Sequence, residues 1–399
     1  MIFDHISQYL GQKIKALRYH FLKLRLALLG QGTYQIQGFT EIEQWGQQQA
    51  VNQRIAQWQT LVTESGNTYK YKVDPGAGKP GFRLIRESQR SLYLGNNAGI
   101  FSHKGIVYHQ HQGAIVAETL EDWETDHFYS VEFTKIRYDA EILLEGLSFS
   151  LCSLGSQDNY CHFLLDSLPK LYLARNLISE IDQLLISGPA TKYQQKILDF
   201  LDLNIPRVWL DSGDQYRCQQ LLFTTRLNNT LHACPWAVEA SRNLLLSRYL
   251  GKAHQPPHKT IFASRKSAQK RRTNLEEKVL ELFPEAEVID FATLSIEETI
   301  QVCQSCETFV GFHGAAFANL IFCQPGTKVI EFQIENTLHN HQYYFFPLTQ
   351  QLKMPHHIHI FPQNISPDQE ISLLKQAVHH SYLNVSSYAE SQSPVHELT

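Results

Sequence analysis

Several things are missing from this sequence, and each absence narrows what the chain does. No window holds about 20 uninterrupted apolar residues, the length a membrane-spanning helix needs, so no span is expected. The basic stretch near the N-terminus lacks a continuous apolar core followed by small cleavage-site residues, so no signal peptide is expected either. Net charge is slight, formally -4, which leaves no global field to recruit nucleic acid or an acidic polymer; any phosphate binding must be local. Cysteine is sparse, with seven in 399 residues. An odd, scattered set is not a disulfide framework and reads as reduced thiols of a cytoplasmic protein. Cys303 and Cys306 have C-x-x-C spacing but lie in a helical pattern with no second pair at zinc-ribbon distance, so a structural role is expected. Gly76, Gly78 and Gly81 have G-x-G-x-x-G spacing but lie at the end of the polar extension, and no such run joins a strand to a helix, which disfavours a nicotinamide-dependent dehydrogenase. No D-x-D occurs, so the usual carboxylate anchor for a catalytic divalent metal is missing and metal independence is expected, with no cofactor.

What is present is a folded chain. Hydrophobic residues make up 43%, with 22 Phe and 18 Tyr, which excludes disorder and low complexity. At roughly 150 residues per domain the length predicts two or three domains. Leu10, Ile14, Leu17, Phe21, Leu24 and Leu28 recur at helical spacing beside Lys13, Lys15, Arg18, Lys23 and Arg25, the pattern of an amphipathic basic helix. Such a helix suits peripheral contact with an anionic membrane surface; the plainer alternative is a helix packed on its own protein. Residues 1–80 are assigned to this helix and a polar extension. From Phe82 to about Ile115, short apolar alternations broken by Gly95, Gly99, Gly105 and Gly113 predict small antiparallel strands, a β appendage.

From Ser148 the pattern changes to strand, helix, strand, helix, strand, which argues for a parallel sheet. A helix from Trp236 to Leu250 follows, opened by Pro235, and Pro256 and Pro257 mark a boundary near 252–258. The second half reads as four strands (TIFASR, AEVIDF, TFVGF, KVIEFQ) with three intervening helices, one opened by a capping box at Ser295 and Glu298. The fold class expected is α/β with two Rossmann-like domains. They are residues 81–251 and 252–385, followed by a flexible tail at 386–399.

In open parallel sheets ligands bind beyond the carboxyl ends of the strands, which directs attention to the residues there. After TIFAS come Arg265, Lys266, Lys270, Arg271 and Arg272; a guanidinium fork suits phosphate. After TFVGF, His313, Gly314, Ala315 and Ala316 lead into a helix carrying Asn319, where amide groups and the helix dipole favour an anion such as pyrophosphate. Glu331, one strand along, suits ribose hydroxyls. In the first half, Asn159, Tyr160, His162 and Asp166 follow a strand end, and the four-residue step puts His162 and Asp166 on one helical face. A histidine and carboxylate so placed suit deprotonation of a hydroxyl, with either group as the base. The late run His356, His357 and His359 reads as an ordinary surface strand, since no carboxylate or cysteine lies at ligand spacing.

These segments together resemble a known family. NYCHFLLDSLPKL resembles the N-Y-x-H-W-L-x-D-x-L-P-R-L segment of glycosyltransferase family 61, the capsular polysaccharide biosynthesis proteins. SRKSAQKRRTNLEE is similar to that family's S-R-K-x-x-x-x-R-x-x-N-E segment, and VGFHGAAFANLIFCQPGTKVIEF to its V-G-x-H-G-A-G-L-x-N-x-x-F-x-x-P-G-x-x-V-I-E segment. The chain departs in three places: Phe163 stands where the family has Trp, Ala316 replaces a glycine, and the arginine segment is one residue short before Asn274, leaving Arg271 and Arg272 as alternatives. The resemblance covers about 150 to 335. It implies a glycosyltransferase B fold, with two Rossmann-like domains facing a cleft. It also implies an inverting, nucleotide-sugar-dependent glycosyltransferase, UDP-linked donor included, acting on a hydroxyl of a glycan or lipid-linked acceptor in polysaccharide biosynthesis. Arg265, Arg271, His313, Gly314, Ala315, Asn319 and Glu331 take donor-binding roles, His162 and Asp166 catalytic ones, and Asn159 and Tyr160 lie on the acceptor side. No nucleic-acid partner is expected.

Overall fold

The computed structural model describes residues 38–40, 58–73, 81–87, 89–109, 114–120, 142–228, 233–249, 256–267, 275–334 and 343–361, with 372 and 375–376. The basic helix expected over residues 10–28, Arg271 with its neighbours Lys270 and Arg272, and the tail from 386 lie outside the described residues. In chain order the strands are β1 (Gly38–Thr40), β2 (Trp58–Glu64), β3 (Thr68–Val73), β4 (Gly81–Arg86), β5 (Arg90–Phe101), β6 (Ile106–His109), β7 (Ala114–Val116) and β8 (Ile142–Ser150). There follow β9 (Gln183–Ser187), β10 (Arg207–Leu210), β11 (Gln215–Thr224), β12 (Lys259–Ala263), β13 (Glu287–Ile289), β14 (Cys306–Phe312), β15 (Lys328–Ile334) and β16 (His356–Phe361). Among the described residues no helix is long and apolar enough to cross a membrane.

The chain divides into two compact units. The first holds a nine-stranded sheet in the order β1-β7-β6-β5-β11-β8-β9-β10, with β2 also paired to β5. β8, β9 and β10 run parallel, as the alternation of strands and helices predicts; β9 is buried along almost its whole length. The helices Tyr160–Leu173 and Lys192–Phe200 follow β8 and β9 in sequence, the alternation that produces parallel pairing. Of the strands over 82–115, β5, β6 and β7 are not an appendage. β11 pairs parallel with β8 on one side and antiparallel with β5 on the other, so the parallel and antiparallel regions form one mixed sheet. Inward residues of β5, β6, β9 and β11 (Ala98, Ile100, Val107, Leu185, Leu221 and Phe223) share one core with Cys152.

The second unit contains a five-stranded sheet in the order β13-β12-β14-β15-β16, parallel throughout, and the separate β3–β4 hairpin. The four strands expected from sequence are all present, and β16 adds a fifth beside β15. Phe262, Val310, Phe312, Ile330, Phe332 and Phe361 pack with Leu275 and Val279 of the helix Leu275–Leu280 and with Phe283 just after it. Ser295 starts the helix Ile296–Gln304 with both halves of a capping box: its Oγ accepts from the Glu298 N–H at 3.2 Å, and the Glu298 carboxylate accepts from the Ser295 N–H at 2.7 Å. All seven cysteines are buried and none forms a disulfide, Cys303 and Cys306 included.

Candidate functional site

In the second unit, the residues at the carboxyl ends of β12 and β14 are tied together. Ser264 Oγ donates to Glu276 Oε1 at 2.5 Å, and the Arg265 N–H donates to Glu276 Oε2 at 3.0 Å, so one buried carboxylate fixes the turn after β12. The Arg265 guanidinium donates through Nη1 to the His313 carbonyl. It also lies against the backbone of Gly314, where an added Cβ would stand 2.8 Å from Nη1. Gly314 has φ 165°, an extended conformation open to any residue. Its glycine therefore answers to the guanidinium and not to backbone strain.

Gly314 opens the 3-10 helix Ala315–Phe322, and no side chain caps its N-terminus. The other end is fastened: Arg242 donates to the carbonyls of Ile321 and Cys323, and Gln304 to that of Phe322. A cation at the carbonyl end agrees with the helix dipole, and the amide end is left beside Arg265. His313, Gly314, Ala315 and Ala316 are half-buried, whereas Asn319 is buried in the helix core. Lys266 is exposed, as a solvated turn residue should be.

Glu331, on β15, has no exposed surface. Its Oε1 meets Nδ1 of His313 and accepts from Gln333 Nε2 at 2.9 Å. Its Oε2 lies 2.9 Å from Nε2 of His356, a close contact but not an aligned hydrogen bond. Burial alone would raise this carboxyl group's pKa, but the charge and hydrogen bond of His313, followed by His356, bring it down to about 2. Glu331, expected at ribose hydroxyls from its strand position, thus faces two histidines from inside the unit. His356 was missed: β16 is a strand as expected, but His356 and Ile358 point inward while His357 and His359 stay half-buried.

In the first unit, Asn159 caps the helix that carries His162, its Oδ1 accepting from the Cys161 N–H at 3.0 Å. The helix opens over Tyr160–His162, widens into a π turn at Phe163–Ser167, and returns to α geometry over Leu168–Leu173. Pro169 supplies the reason: its ring collides with the carbonyl four residues back in a regular helix, and an extra residue in the turn moves that carbonyl away. His162 Nδ1 and Asp166 Oδ2 are 2.8 Å apart, both side chains partly exposed. Gly155, at φ +80°, brings the loop against the ring, where an added Cβ would stand 3.0 Å from His162 Cδ2.

The loop preceding this helix is held by residues the sequence did not single out. Tyr193 Oη donates to the Ser156 carbonyl at 2.7 Å, and Gln194 Nε2 donates to the carbonyls of Ser156 and Ser187 at 3.2 and 2.8 Å. Tyr160 meets the Tyr193 ring edge-on at 5.9 Å. The geometry thus brings His162 and Asp166 together, with Asn159 as a cap and Tyr160 in an aromatic contact beside them. It also joins Arg265, His313, Gly314 and Glu331, with Asn319 set behind them.

Residues 160–330 match the family model described as Glycosyltransferase 61. The match takes in His162, Asp166, Arg265, His313, Gly314 and Asn319 and stops one residue before Glu331. Comparison with curated proteins gave no match.

Proposed function

Since residues 160–330 form a segment of glycosyltransferase family 61, we propose that this glycosyltransferase works by inversion on a nucleotide-sugar donor. The donor is UDP-linked and the acceptor is a hydroxyl of a glycan or lipid-linked saccharide in polysaccharide assembly. The arrangement proposed is that of glycosyltransferase B enzymes, with acceptor chemistry in the first unit and donor binding in the second. The observation that carries the reading is the Arg265 guanidinium held on the His313 carbonyl against Gly314, at the amide end of a helix. A diphosphate there meets a guanidinium fork and backbone amides together.

In the reaction, His162 takes the proton of the acceptor hydroxyl through Nε2, and Asp166 orients its ring through Nδ1. The acceptor oxygen attacks the anomeric carbon opposite the leaving diphosphate. Its bond to the sugar forms as the bond from sugar to phosphate oxygen breaks, and the configuration inverts. Negative charge growing on the diphosphate is met by Arg265 and the helix amides, where preorganised electrostatics lower the barrier most. Arg271 is proposed as a second phosphate contact from sequence alone. We propose that these cations, without a divalent metal, carry the charge, because the chain has no D-x-D. A cytoplasmic location with peripheral membrane contact through residues 10–28 is proposed from the basic amphipathic pattern.

The test is thermal unfolding and calorimetric titration with a panel of nucleoside diphosphates and nucleotide sugars in EDTA. UDP is expected to stabilise the wild type without metal, and Arg265→Ala to remove that effect. No shift with any nucleotide, or a shift that requires manganese, would defeat the donor reading or the metal-free reading respectively.

A further inference from the structure

The donor-side histidine does not stand alone. Four side chains form a line from the interior to the surface: Thr349 Oγ1 lies 3.0 Å from His356 Nδ1, His356 Nε2 lies 2.9 Å from Glu331 Oε2, and Glu331 Oε1 meets His313 Nδ1. Thr349, His356 and Glu331 are buried, and only His313 is partly exposed. Thr349 comes from the helix Phe346–Gln351, His356 from β16, Glu331 from β15, and His313 from the turn after β14. Three successive parallel strands and the helix before the last of them therefore converge on one carboxylate.

The hydrogen inventory limits what each member can do. An ionised carboxylate only accepts, so His313 presents an N–H at Nδ1, while His356 Nε2 lies beside Oε2 without an aligned hydrogen bond. Gln333 Nε2 donates to the same Oε1 as His313, which fixes the plane of the carboxylate. Two aromatic rings limit the rings' motion: Phe346 stacks on His356 at 6.1 Å and 23°, and Phe345 packs on His313 at 5.5 Å. Arg265 holds the backbone carbonyl of the same His313. A buried charge of this kind is costly unless every oxygen is met, so nothing in stability alone requires Glu331 and His356 at the core; an apolar pair would serve. The line makes sense if its product is the orientation of the one ring that reaches solvent.

We infer that His356 is a positioning residue for the donor: acting through Glu331, with Thr349 behind it, it locks the His313 ring with Nδ1 turned inward and Nε2 presented to the diphosphate. The inference rests on the donor reading above for the identity of the ligand. The lock itself is a property of the protein and is tested separately. The same logic operates where a carboxylate fixes a histidine by its second nitrogen, selecting tautomer and direction at once.

The experiment uses the full chain as wild type, His356→Leu, His356→Gln and Thr349→Val. UDP affinity is measured by calorimetry, unfolding temperature without ligand, and the His313 ring by nitrogen-15 histidine spectra, its signal assigned by disappearance in His313→Gln. His356→Leu is expected to weaken UDP binding by about tenfold and to broaden or shift the His313 ring signal. His356→Gln, which restores an N–H toward Glu331, is expected to recover most of the affinity. Thr349→Val keeps the shape and removes the hydroxyl; a loss of about threefold is expected, and it carries the test if His356→Leu does not fold. A folded His356→Leu protein with wild-type UDP affinity and an unchanged His313 signal overturns the inference, and so does a fall in unfolding temperature alone. If the wild type binds no nucleoside diphosphate, the donor reading fails, and an unmoved His313 signal in His356→Leu still overturns the lock.

Discussion

A carboxylate with no exposed surface survives only where donors and cations meet it, and Glu331 is met by His313, Gln333 and His356. That dependence has a sign in pH. Its native pKa is about 2, below the ordinary 4.5, so the unfolded chain binds the proton first as pH falls. The stability it contributes is fully present above about pH 4.5 and is lost as pH drops toward about 2, on the order of 3 kcal/mol over that window. Glu331→Gln is expected to be less stable at neutral pH, since the amide cannot accept from every neighbour, and to lose less on acidification. Thermal unfolding of both proteins between pH 6 and 2.5 checks this; parallel curves would mean that Glu331 is not the group that titrates. At the same scale, Gly314 leaves room for Arg265, whose Nη1 lies where a side chain would stand.

Element boundaries were legible where the signal was local. The Ser295 and Glu298 pair announces the start of Ile296–Gln304, and both reciprocal bonds form. Ser295→Ala removes the side-chain half of the box and is expected to cost about 1 kcal/mol, a fall of about 2 °C in unfolding temperature, with UDP binding unchanged. A fall in affinity of the same variant would show that this helix reaches the donor site. Period and spacing also placed β12 to β15, and β12, β14 and β15 read as apolar runs because they are largely buried between neighbouring strands. They failed at β11, whose Gln215, Arg217, Gln219 and Gln220 break the run although the strand joins the two parts of its sheet. A sheet that changes direction in mid-order has no local signature, since the pairing is fixed by partners far apart in sequence. The π turn was hidden for another reason. A four-residue step gives the right neighbours for His162 and Asp166, but the wider turn is a response to Pro169, visible only as a proline where a helix should run on. β16 reads as a surface strand in sequence, and the burial of His356 was missed because its partner comes from another strand.

For the whole molecule, the chemistry divides by unit: the histidine and carboxylate suited to moving a proton lie in the first, and the guanidinium, amide end and buried carboxylate suited to a diphosphate lie in the second. If the two sets serve one reaction, damage to each must appear in a different constant. Proton transfer contributes to the transition state and little to the bound ground state, so His162→Ala and Asp166→Asn are expected to lower kcat by about 100-fold or more while UDP affinity stays at the wild-type value. Asp166→Asn is expected to be the milder, because Asp166 orients the ring and His162 accepts the proton. Charge-assisted contacts to the diphosphate hold substrate and leaving group alike, so Arg265→Ala is expected to weaken UDP binding by about 10- to 100-fold and to lower kcat as well. Arg265→Lys should recover only part, since an ammonium cannot form the two-pronged contact. Steady-state kinetics with the donor found by titration, alongside calorimetry of UDP, separates the constants. If His162→Ala weakened UDP binding as much as Arg265→Ala and left kcat intact, the first unit would be contributing to donor binding and the proposed base would have to be sought elsewhere.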